Sequence, residues 1–134
     1  MARVRKIHGI GETLARQLER TGIRSTEELL KQGATPQGRR ELAARSGVSE
    51  TVILRWVNQA ALYRLTGMGK QFANLLELTG VTSVADLAQC RVENLYRQLT
   101  QANLENRIMR KLPTQAQVSA WVKQAQQLQH TVAY

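Results

Sequence analysis

Cysteine is almost missing from this chain. Cys90 is the single one in 134 residues, which excludes an internal disulfide and fits a reducing compartment. It lies beside an apolar stretch, so a buried, inert thiol is expected rather than a reactive one. Aromatic residues make up only 4%, too few for a stacking platform along a single strand. Acids are also scarce: there are ten, four of them after residue 66, with no paired spacing suited to metal-assisted phosphodiester cleavage. The two histidines, His8 and His130, lie far apart and have no other metal-ligand types around them. No apolar run is long enough to cross a bilayer, and no charged-then-apolar leader precedes a small-residue cleavage site. No segment alternates as a strand would, and there is no Asn-Gly hairpin turn. The expectation is a cytoplasmic, all-α, non-enzymatic protein with no metal, no cofactor, no membrane contact and no small-molecule substrate.

What the chain has in excess is positive charge. Nineteen Lys and Arg against ten acids give +9, a balance that favours a polyanionic partner, nucleic acid first among them. The excess is uneven. Residues 1–66 carry twelve basic and six acidic side chains, residues 67–134 seven and four. An apolar fraction of 43% is ordinary for a globular protein, and the length suits one domain or two very small ones.

The second feature is a repeat. Ile7-His8-Gly9-Ile10-Gly11 is followed by Ala15, Leu18, Gly22 and Ile23; Leu65-Thr66-Gly67-Met68-Gly69 is followed by Ala73, Leu76, Gly80 and Val81. Each copy reads as a glycine turn feeding a helix that a further glycine stops. Ser25, Thr35-Pro36, Ser49, Ser83 and Thr114 have the character of helix N-caps, and Glu28, Asp86 and Gln117 stand at capping-box spacing. Arg39, Arg40 and Arg45 are expected on the exposed face of a helix ended by Gly47. The ends of the halves also match: Ile53-x-x-Trp56-Val57 aligns with Val118-x-x-Trp121-Val122, both tryptophans being expected in the core. The larger offset there implies an insertion between Leu99 and Leu112, holding Asn103, Asn106, Arg107, Arg110 and Lys111. The chain thus reads as a duplicated helical unit of about sixty residues, with a first unit over 1–64 and a second over 65–134, the two packed as one body.

The Gly-apolar-Gly turn, with Ala four residues on and Leu three beyond, resembles the helix-hairpin-helix motif. With Thr35-Pro36-x-Gly38-Arg39 and Trp56-Val57-Asn58-x-Ala60, nearly the whole chain is similar to an uncharacterised, largely cyanobacterial family described as a domain of unknown function. The resemblance implies SAM-like helical units related by pseudo-two-fold symmetry. It also implies phosphate contacts at Gly9, Gly11, Gly67 and Gly69.

The chemistry of such a turn needs no charged side chain. Its backbone N–H groups and the positive end of the following helix form an anion site, which holds a nucleic-acid backbone without reading sequence. Lys70 follows the second turn and favours this. Glu12 follows the first and opposes it, although Arg3, Arg5, Lys6 and His8 lead into that turn. The expected nucleic-acid-binding set is therefore Gly9, Gly11, Gly67, Gly69, Lys70, Arg3, Arg5, Lys6, Arg39 and Arg40, with DNA preferred over RNA. The alternative is an adaptor for an acidic protein, which predicts an exposed apolar patch flanked by arginines near the insertion. A lyase built on Lys70 and Asp86 is disfavoured, because Asp86 is better explained as the partner of Ser83 in capping.

Overall fold

Side-chain caps set where most of the helices begin. In the computed structural model, which describes residues 3–7 and 9–134, a single 3-10 turn at Val4–Lys6 is followed by eight α-helices. They are α1 (Gly11–Arg20), α2 (Thr26–Gly33), α3 (Pro36–Ser46), α4 (Glu50–Leu62), α5 (Lys70–Leu78), α6 (Val84–Ala88), α7 (Val92–Asn106) and α8 (Gln115–Leu128). The first part of the basic arm, Met1 and Ala2, and His8 before the first turn lie outside the described residues. Among the described residues there is no strand beyond one isolated bridge between Arg3 and Ser25, and no helix is long and apolar enough to cross a membrane.

The hydroxyl oxygens of Ser25, Thr35, Ser49, Ser83 and Thr114 each accept from the backbone N–H three residues on. Such caps are worth about 1 kcal/mol each. Thr114 and Gln117 form a full reciprocal capping box. Asp86 departs from that pattern: its carboxylate accepts from the N–H and the hydroxyl of Thr82. α1 and α5 end alike. The N–H of Ile23 donates to the carbonyl of Leu18 and that of Gly22 to Glu19, while Val81 and Gly80 do the same to Leu76 and Glu77. These paired bonds satisfy carbonyls that a helix end otherwise leaves open.

The helices pack in two sets. α2 lies against α4 and α3; α3 also touches α1. α6 lies against α8; α7 touches α8 and α5. α4 and α6 join the two sets. One continuous cluster of buried residues runs through all of this, including Trp56, Leu62, Phe72, Leu76 and Trp121. α2 approaches α4 closely because Gly33 has no side chain: a Cβ there would collide with Cγ2 of Val57. Gly33 therefore serves packing as well as ending the helix.

The C-terminal residues close across the first half. The N–H of Ala133 donates to the carbonyl of Ala34 at 2.7 Å, and Tyr134 donates its hydroxyl to Asn58 at 2.8 Å. Arg39 completes this junction and corrects the expectation that it is exposed. It is buried, with 6% of its surface accessible. Its guanidinium donates to the carbonyls of Gly33 at 2.8 Å and Ala133 at 2.7 Å. A buried charge is tolerated only with such partners.

Candidate functional site

The second glycine turn opens onto solvent. Gly67 takes φ +80°, and Gly69 is extended at φ −117° as the residue before α5. Gly67, Gly69, Lys70 and Gln71 are exposed, while Leu65 and Met68 point into the core. No side chain caps α5, and its hydrogen-bond ladder starts only with Ala73 donating to Gly69. The first-turn amides therefore keep their donor capacity. Behind the turn stands Trp121, whose Nε1 donates to the carbonyl of Thr66 at 2.7 Å. Its ring lies 4.2 Å from that of Phe72. Gln124 accepts from the N–H of Thr66 at 3.0 Å. The turn is fixed from within and open from without.

The end of α7 and the loop after it bring the other charges here. α7 runs to Asn106, and Arg107 then takes a left-handed conformation at φ +49°, its N–H donating to the carbonyl of Asn103. The side chain of Asn103 holds the loop that follows. Its Oδ1 accepts from the N–H groups of Ile108 and Met109, and its Nδ2 donates to the carbonyl of Met109. So held, Arg107, Arg110 and Lys111 line a hollow with Gln71 of α5. No carboxylate lines it. Sequence reading identified these three residues in the insertion but left them out of the binding set. Their spacing carries no sign that the loop folds back onto α5.

The first turn is built differently. Gly9 and Gly11 both take positive φ, +80° and +73°, so the residue preceding the body of α1 is not shaped like Gly69. Gly9 rests against Trp56, as Gly67 rests against Trp121, but Nε1 of Trp56 is buried without a partner among the described residues. α1 also lacks a side-chain cap. Here, however, the charges are already engaged with one another. Arg5 contacts Glu19 at 2.7 Å and Glu12 at 3.4 Å, and Arg16 contacts Glu12 at 2.9 Å. Lys6 is exposed, and its carbonyl accepts from the hydroxyl of Tyr63. Arg3 lines a separate cleft with Arg16, Arg20 and Arg24, and Glu19 sits among them. Arg40 is exposed on α3, whereas Arg39 is committed to the C-terminal junction.

One further side chain bears on the chemistry. Cys90 is half-buried rather than buried, and its thiol donates to the carbonyl of Asp86. Burial, and then the charge of Asp86, push its pKa up, which lowers the thiolate fraction and with it reactivity. Among the described residues no three His, Cys, Asp or Glu side chains gather as metal ligands would.

Comparison with known proteins gives one positive finding. The family profile described as Domain of unknown function (DUF4332) matches residues 8–128. The chain belongs to this family. The DUF4332 segment contains both glycine turns and the whole 107–114 loop. It leaves out Arg3, Arg5 and Lys6 before it and the Ala133 junction after it. No curated protein and no solved structure matches the chain.

Proposed function

We propose that this protein binds the backbone of nucleic acid, DNA in preference to RNA, without reading sequence and without catalysing a reaction. The contact is centred on the second glycine turn. In this reading the halves are copies of one helix-hairpin-helix unit related by an approximate two-fold axis, in a largely cyanobacterial family and a cytoplasmic setting. The observation that carries the reading is the uncapped start of α5 beside a hollow lined by Arg107, Arg110 and Lys111 and free of carboxylates. Backbone amides, a helix dipole and side-chain cations then act on one anion from one side. Lys70, exposed as the first residue of α5, adds to them. The chain's charge of +9 supplies the long-range attraction. Because phosphates carry the contact, counterion release dominates the affinity. With about four phosphates neutralised, log K should fall with log salt at a slope near −3.6. Fluorescence anisotropy of a labelled duplex titrated at several salt concentrations measures this. A flat salt response, or no binding at low salt, defeats the reading.

A second reading has one observation of its own. Leu104 is 70% exposed on α7, three residues before Arg107, where an adaptor for an acidic protein would place part of its apolar contact. A partner captured after nuclease treatment, and lost on Leu104→Ser, would favour the adaptor.

A further inference from the structure

Resting on the backbone-binding reading, we propose that the groove beside the second glycine turn receives the base of one unpaired nucleotide. A duplex with an extrahelical base would then be held more tightly than a continuous one. The groove, about 670 Å³, is the largest of the cavities described. Its apolar lining comes from Met109, Leu112, Pro113 and Trp121, with Thr66 and Gly67 of the turn at one side and no carboxylate anywhere. Met109 and Lys111 line both this groove and the basic hollow, so the two are neighbours across a single stretch of loop. A ligand that fits both must join an anionic group to a flat apolar one within the reach of a few bonds. A nucleotide has that form.

The polar groups at the groove are also arranged for a base. Thr66 has both backbone groups occupied, by Gln124 and Trp121. The capping box commits Oε1 of Gln117 to the N–H of Thr114 and leaves its Nε2 as a donor for a base edge. Few aromatics and one groove exclude a track for a strand, but not a seat for one base. None of the cavities described is lined by Gly9, Gly11 or Trp56; the groove depends on the inserted loop, not on the glycine turn alone.

The test compares three labelled duplexes by anisotropy: continuous, with a one-nucleotide bulge, and with the same bulge carrying an abasic nucleotide. The bulged duplex should bind about tenfold tighter than the continuous one, the scale of one base stacked on a protein surface. The abasic bulge should return close to the continuous value. Met109→Gln, whose loop backbone is held by Asn103, should bring the ratio of bulged to continuous affinity near one, with thermal melting verifying the fold. Equal binding of all three duplexes overturns the inference and leaves the backbone reading standing. So does equal tightening by the bulge and its abasic form, which would report flexibility instead of a seated base. Failure to bind any of them removes the backbone reading and this inference with it.

Discussion

The two glycine turns share their spacing and a tryptophan behind them, and differ in backbone shape at the second glycine and in what surrounds them. Each sets its first glycine against a tryptophan and its middle residue into the core. At the first turn, Arg5 and Arg16 are paired with Glu12 and Glu19, so these two guanidiniums are already engaged before an outside anion arrives. At the second, Lys70 has no acid beside it in sequence, and the loop adds three cations and no carboxylate. A backbone turn offers donors, but its environment decides whether an anion gains by using them. Proximity of basic residues in sequence is a poor guide to this. The half richer in Lys and Arg neutralises part of its own excess.

The largest expected effect comes from the loop. Arg107→Gln, Arg110→Gln and Lys111→Gln together should weaken duplex binding roughly a hundredfold and make the salt slope shallower by about 2.7. The same change at Arg3, Arg20 and Arg24 should cost less than about fivefold. Anisotropy with the reverse ranking would move the contact to the first half. Next are two stability tests of what sets the first half apart. Gly33→Ala should destabilise by about 1–3 kcal/mol through overpacking against Val57, read as a lowered denaturation midpoint. An unchanged midpoint would mean that α2 and α4 separate easily. Arg39→Met should cost about 2 kcal/mol, the scale of bonds from a charged donor, and leave duplex affinity unaltered. A loss of affinity at unchanged stability would return Arg39 to the binding surface. The smallest effect is at Glu12. Glu12→Gln frees Arg16, while Arg5 keeps Glu19, and should strengthen duplex binding about two- to fivefold, the scale of a surface ion pair. A weaker complex would mean that Glu12 supports the contact.

Local signals were readable wherever the interaction stays local. Ser25, Thr35, Ser49, Ser83 and Thr114 cap helices by bonds to their own third neighbours, so residue type and spacing suffice. The glycine stops after α1 and α5 belong to the same class. Arg39 does not. It sits next to Arg40 in an ordinary basic helix, and its burial is made tolerable by the carbonyl of Gly33 together with that of Ala133, 94 residues away. Asp86 was legible as part of a capped start but not as the acceptor for Thr82, since its carboxylate can reach back to either residue three or residue four before it. The loop was hardest to read. Its position depends on one asparagine folding the chain back, and nothing in Arg107–Lys111 signals that α5 is its neighbour.

Asn103 has a consequence for binding kinetics. One amide group orders the backbone at two successive residues, and thereby fixes where the stems of Arg107, Arg110 and Lys111 emerge. The backbone entropy of arranging that row is lost when the protein folds, not when it meets its partner. Replacing Asn103 should leave every charge in place and still shorten the lifetime of the complex, because three wandering cations do not hold an anion as three aligned ones do.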